Sequence, residues 1–147
     1  MIDNTQARHT VVAYIRLFNQ LDQLSVERLS AVAAPTVRFI DPFNDVTGYG
    51  DMMRVLQHFS DTVTAPHFNV SETAFIADTC FLRWEFSGTL KQSGKPWCFP
   101  GVSELTLDTD YRVIRHQDHW DAATHFYEKL PLLGSVIRLI KRRIRPL

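Results

Sequence analysis

The segment Cys80-Phe81-Leu82-Arg83-Trp84-Glu85-Phe86-Ser87-Gly88-Thr89-Leu90-Lys91 alternates without a break. On an extended backbone Leu82, Trp84, Phe86, Gly88 and Leu90 point one way. Arg83, Glu85, Ser87, Thr89 and Lys91 point the other. A strand with one apolar and one wet face belongs to an antiparallel sheet packed on one side only. Ser93-Gly94-Lys95-Pro96 turns the chain, and Trp97–Leu107 returns beside it. Asp108-Thr109-Asp110 turns it again, into a last strand from Tyr111 to Asp121. Upstream, His67–Ile76 supplies the first strand of this four-strand meander.

The first third has a different period. Ala7, Val11, Tyr14, Phe18 and Leu21 recur at helical spacing, with Asn4 or Thr5 as the cap. A second helix is expected from Ser25 to Ala34, with Ser25 as its N-cap, Arg28 on its wet face and Pro35 as its stop. Thr36–Asp41 reads as a short strand with Val37, Phe39 and Asp41 on one face. Pro42, Asn44, Asp45 and Gly48 break it. A third helix over about Gly50–Val63 carries Met53, Leu56, Phe59 and Val63 on its apolar stripe. Helices followed by a meander give an α+β order. The expected architecture is a cone-shaped, curved, antiparallel or mixed sheet wrapped around three N-terminal helices, with an extra helix at the C-terminal end.

The chain has 147 residues, enough for one domain with a full core. Its 16 basic and 16 acidic residues cancel, which argues against nucleic acid as a partner of the whole domain. Five of the basic residues, Arg138, Lys141, Arg142, Arg143 and Arg145, crowd the last ten positions and leave 11 against 16 acidic elsewhere. With Leu130, Leu132, Leu133, Val136, Ile137, Ile140 and Ile144 at helical spacings, residues 131–147 read as a basic amphipathic helix distinct from a domain over 1–130. Its apolar residues are expected to pack on the domain; the alternative is a membrane surface. Cys80 and Cys98 match no zinc or redox spacing and are expected to be buried, reduced and inert. No apolar run approaches a spanning length and no signal-peptide pattern opens the sequence, so the expected location is the cytoplasm.

The residues able to do chemistry are few. Asp41 ends a strand among apolar neighbours, where a carboxylate is driven toward a general base or acid; spacing alone favours a turn-initiating Asp before a proline. Tyr14 is a phenol on a buried helical stripe and needs a partner. On the last strand Ile114, His116, Asp118 and Trp120 share one face, the inner one by its apolar members. That places an imidazole and a carboxylate about 7 Å apart at Cα, close enough to share a ligand or a proton. His67, His116, His119 and His125 form no metal-ligand pattern, and no cofactor is implied.

These residues bring a family into view. Tyr14, the segment Arg38-Phe39-Ile40-Asp41-Pro42-Phe43, Gly48 or Gly50 ahead of the third helix, the hairpin at Gly94 and the strand ending in Trp120 resemble the nuclear-transport-factor-2-like superfamily. The likeness is to its SnoaL-like and ketosteroid-isomerase-like members, over about residues 5–128. The resemblance implies the same cone fold. In the isomerases it aligns the base with Asp41 and the oxyanion-hole tyrosine with Tyr14, and it puts Ser103 where that family has a protonated acid. In the cyclases it aligns the acid–base pair with His116 and Asp118. Proton shuffling on a carbonyl compound is common to both.

The expected site is therefore a hydrophobic pocket lined by Tyr14, Phe43, Phe59, Trp84, Phe86, Ser103 and Trp120, taking a small apolar molecule. Asp41 or Asp118 is the base, with Tyr14, His116 and Ser103 as donors. The reaction would be an isomerisation, cyclisation or elimination. A non-catalytic ligand-binding or scaffold role is the alternative. A homodimer is expected through the outer sheet face, at Phe81, Trp97 and Val102 among Arg83, Glu85 and Glu104.

Overall fold

The computed structural model describes residues 4–146. Helix α1 (Asn4–Phe18) buries Ala7, Val11, Tyr14, Leu17 and Phe18 along one stripe. Any cap ahead of Asn4 lies outside the described residues. Leu21, expected on the same helix, is buried in a separate 3-10 turn, Leu21–Gln23. Helix α2 is only Val26–Ser30, started by Ser25, whose Oγ accepts a hydrogen bond from the Arg28 amide at 3.2 Å.

The helix expected to continue to Ala34 does not. Strand β1 (Ala33–Ile40) begins there, with Pro35 inside it. The pairing of β1 with β6 is interrupted between Ala33 and Arg38, so the proline sits where no ladder donor is required. A three-residue strand, β2 (Asp45–Thr47), folds back on β1 where only a loop was expected. Helix α3 (Tyr49–Thr62) buries Met52 and Leu56 and half-buries Met53 and Phe59. Its stripe is turned by one residue from the expected one, and Val63 opens the next strand instead of closing the helix.

Strands β3 (Val63–Ile76), β4 (Thr79–Leu90), β5 (Pro96–Leu107) and β6 (Val113–His119) form the meander. The six strands run β2-β1-β6-β5-β4-β3. All pairs are antiparallel except β1 with β6. The result is an α+β fold with a curved, mixed, open sheet. Helices α1 and α3 lie on its inner face: the Phe18 ring sits 6.4 Å from Phe39 and the Phe59 ring 5.5 Å from Phe86.

The β4–β5 register decides the faces of β5. Trp97 opposes Gly88, Phe99 opposes Phe86 and Ser103 opposes Leu82, so odd-numbered residues of β5 point inward. Trp97 is therefore buried rather than on the outer surface, and its indole N–H donates to the His125 carbonyl at 3.0 Å. Val102 does lie on the outer face. Cys80 is buried, and burial pushes its thiol up to about 11. Cys98, expected to be buried as well, is exposed because it alternates with Trp97 and Phe99.

After β6 come a short helix, α4 (Ala122–His125), a 3-10 turn, Tyr127–Lys129, and helix α5 (Leu133–Ile144). Helix α5 meets the rest of the molecule chiefly through that turn and through its basic side. Lys141 Nζ donates to Thr124 Oγ1 at 2.6 Å and pairs with Glu128 at 2.5 Å, and Arg138 donates to the Glu128 carbonyl. The expectation that its apolar residues pack on the domain is overturned. Val136, Leu139, Ile140 and Ile144 are all at least half exposed. Among the described residues no helix is long and apolar enough to cross a membrane.

Candidate active site

Four elements bring one chain of polar groups together inside the sheet. Tyr14 is carried by α1, Trp84 by β4, Ser103 by β5, and His116 and Asp118 by β6. Ser103 opposes Asp118 and Leu105 opposes His116 in the β5–β6 register, so both β6 residues face inward as alternation requires. The Tyr14 hydroxyl lies 2.9 Å from His116 Nδ1, and His116 Nε2 lies 2.7 Å from Asp118 Oδ1. On the other side the Trp84 indole N–H donates to Ser103 Oγ at 2.8 Å. The Ser103 hydroxyl in turn donates to Asp118 Oδ1 at 2.5 Å.

One assignment of hydrogens satisfies every member. Trp84 has only a donor, so Ser103 must spend its own hydrogen on Asp118. His116 then gives its Nε2 hydrogen to Asp118 and accepts from the Tyr14 hydroxyl at Nδ1. Both branches converge on Asp118, and both hydrogen bonds fall on Oδ1. Burial, reinforced by the Asp118 carboxylate, raises the Tyr14 phenol well above its usual value, which keeps it a donor. The Phe18 and Phe39 rings stand edge-on to the His116 ring at 5.1 and 4.8 Å, so the imidazole cannot swing away.

A cavity opens onto this chain. Its apolar wall includes Phe18, Phe68, Val70 and Leu82, and Tyr14, Ser103, His116 and Asp118 supply the polar side. Ile15, Phe68, Val70 and Asp118 keep some exposed surface. The free space is about 30 Å³, room for one or two waters. It is much smaller than the ring-lined pocket expected. Phe59 and Phe86, expected in its wall, fill the neighbouring interior with Phe68, Trp97 and Phe99. Trp120 lies beyond β6 and stacks on Phe99 at 4.1 Å. Phe43 is 45% exposed, against Trp120 and Phe126. Phe68, not among the expected wall residues, does line the cavity; its even spacing from Val70 on β3 is the sequence signal for it.

Asp41 stands apart from the cavity. Strand β1 ends at Ile40, and the Asp41 carboxylate accepts hydrogen bonds from the Phe43 and Asn44 amides at 2.8 and 2.7 Å and from Asn44 Nδ2. This is the Asx turn that an Asp before a proline forms. Burial nevertheless raises its pKa, against the lowering effect of those donors, and the charge of Asp118 adds a little.

The sign of the consequence follows from proton linkage. A carboxylate whose folded pKa lies above its unfolded value holds more protons in the folded state between the two. Stability therefore falls as pH rises through that window and stays lower above it. Asp41→Asn keeps the acceptor oxygen and removes the charge. It is expected to leave stability at pH 7 unchanged or raised, with any gain fading as pH falls toward about 4 and absent below it. Denaturant melts of both proteins at the two pH values check this.

Residues 11–116 match the SnoaL-like domain. The chain belongs to the SnoaL-like domain family. Solved structures agree in fold. One is a candidate SnoaL-like polyketide cyclase from Jannaschia sp. CCS1, 18% identical, with a TM-score of 0.73 over 82% of this chain and 88% of that one. Another is a protein with a ketosteroid isomerase-like fold from Catenulispora acidiphila in complex with trimethylamine. It is 14% identical, with a TM-score of 0.69 over 79% and 88%. A third is TerC co-crystallised with polyporic acid, 15% identical, with a TM-score of 0.70 over 90% and 98%. At these identities the likeness is one of fold. None of the curated protein sequences compared with this SnoaL-like chain matches it.

Proposed function

We propose that the Tyr14–His116–Asp118–Ser103 chain is a proton-transfer site acting on a small apolar carbonyl compound. The observation that carries this reading is the His116–Asp118 pair. A histidine 4% exposed is held at both ring nitrogens, and a carboxylate beside it receives both hydrogen bonds on one oxygen. The second oxygen of Asp118 is the base. It takes a proton from the carbon next to the carbonyl, and the C–H electrons move onto the carbonyl oxygen as an enolate. Once Asp118 carries that proton, the Ser103 hydroxyl is released to donate to the new oxyanion. Returning the proton to another carbon isomerises the compound; attack of the enolate carbon on a second carbonyl closes a ring. The small cavity admits the reacting carbon and its carbonyl, with the rest of the compound lying over Ile15, Phe68 and Val70.

The test is solvent deuterium exchange into a panel of enolisable ketones. Exchange is expected for the unmodified protein and for Asp41→Asn, within a few-fold of each other, and to be lost in Asp118→Asn. No exchange with any ketone by a well-folded protein would favour a second reading, a non-catalytic ligand-binding or scaffold protein of the same fold. The full pairing of the polar chain and the 30 Å³ cavity support that alternative. In either case the partner on the outer sheet face is a second copy of the chain, through Phe81 and Val102 among Arg83, Glu85 and Glu104. Light scattering is expected to give a dimer mass at micromolar concentration, falling to the monomer in Val102→Glu.

A further inference from the structure

Helix α5 is amphipathic, and it presents its greasy side to solvent. At 100° per residue, Leu133, Val136, Ile137, Ile140 and Ile144 fall within a stripe about 100° wide. Ile140 and Ile144 are 51% and 76% exposed, and Leu132, just ahead of the helix, is 86% exposed. The side next to one edge of the stripe is fixed to the domain. Lys141 holds Thr124 and Glu128, and Arg138 holds the Glu128 carbonyl. Gly134 presses on the same turn so closely that a Cβ there would lie 2.1 Å from the Glu128 oxygen. The helix is thus bolted down by its polar side with the apolar stripe facing away.

The charge pattern says what the stripe meets. No acidic residue follows Glu128, whereas Arg138, Lys141, Arg142, Arg143 and Arg145 all lie on this helix or just past it. Lys141 and Arg143 flank the stripe on its two sides. The remainder of the chain is net acidic, so the attraction is confined to this one edge. Five cations beside an aliphatic stripe, with Glu128 as the one carboxylate paired among them, complement an anionic lipid surface. Nucleic acid would leave the aliphatic stripe uncovered.

We propose that α5 is an interfacial membrane helix. It lies flat in the headgroup region of an anionic bilayer, with Val136, Ile140 and Ile144 in the acyl boundary and Arg143, at the edge of the stripe, among the phosphates; the other cations of the helix add long-range attraction, and the helix holds the domain at the surface.

The test is flotation of the full chain with phosphatidylcholine vesicles, with and without phosphatidylglycerol, at low and high salt. Binding is expected only to the anionic vesicles. Ile140→Asp, at an exposed position that leaves the fold intact, should abolish it. Reversing two charges, Arg142→Glu with Arg143→Glu, should lower partitioning on the order of tenfold or more at low salt. No flotation with anionic vesicles, or flotation that survives Ile140→Asp, overturns the proposal. So does light scattering in which Ile140→Asp splits an oligomer, since a second copy would then be what covers the stripe.

Discussion

Asp118→Asn is expected to lower deuterium exchange into a responsive ketone by a factor on the order of 10²–10⁴, the usual cost of losing a general base. The substitution is sharp because it is nearly isosteric. An asparagine carbonyl at Oδ1 still accepts from Ser103, 2.5 Å away, and from His116 Nε2, 2.7 Å away. The polar chain therefore survives while the group that takes the proton is gone. A melting curve close to that of the unmodified protein, together with lost exchange, assigns the effect to chemistry. Equal loss of stability and exchange would show that Asp118 is a structural acceptor. Exchange that persists in Asp118→Asn but disappears in Asp41→Asn would move the base to the turn after β1.

The second large effect concerns packing. Gly101 opposes Trp84 across the β4–β5 pair, and the indole lies directly over it. A Cβ at residue 101 would sit 2.3 Å from the ring. The ring cannot slide aside freely, because Phe68 and Phe99 stand edge-on to it at 5.3 and 5.9 Å and its N–H is committed to Ser103. Gly101→Ala is therefore expected to destabilise the fold by roughly 1–3 kcal/mol from overpacking. Loss of the indole hydrogen bond would add about 1 kcal/mol. Each kcal/mol lowers the melting midpoint by about 2–4 °C at this chain length. Gly50→Ala in α3 is the control: nothing lies within 4 Å of its added methyl, and Ala is better than Gly in a helix by up to about 1 kcal/mol. Thermal melts of the two variants are expected to move in opposite directions, and near-UV dichroism should change only in Gly101→Ala.

What could be read from the residues follows from where the physics is local. The alternation in Cys80–Lys91 names both faces of β4 because one face is wet, and the same period of two places His116 and Asp118 inward. It also separates Trp97 from Val102, an odd from an even position, so the same alternation puts Trp97 inside and leaves Val102 on the outer face. Pro35 was legible as a breaker, but whether a proline ends a helix or fills a gap in a strand depends on the partner strand, β6, 78 residues on. Asp41 looked like a base because burial does raise its pKa; the Asn44 that occupies it was in view as a turn residue. The size of the cavity was not legible at all. It depends on how Phe59, Phe86, Trp97, Phe99 and Trp120 stack in three dimensions. The moment of α5 was plain from its sequence. Which side it would lay against the domain was not, because Glu128 and Gly134 set that through tertiary contacts.

The parallel pairing of β1 with β6 has a consequence for how the protein comes into being. It joins residues 38–40 to residues 115–117, and the Tyr14–His116 bond closes a separation of 102 positions. Neither contact can form on a ribosome until most of the chain has emerged, and loop closure over such a span rewards the chain only at the end. Until then α1 has only part of its cover, from β1 and β3, and the β1 edge that β6 will occupy is bare. The nascent chain therefore spends its synthesis with its first helix waiting for its last strand. The polar chain at Asp118 is assembled in the same closing event as the core, so a molecule with a complete site is one that has finished folding.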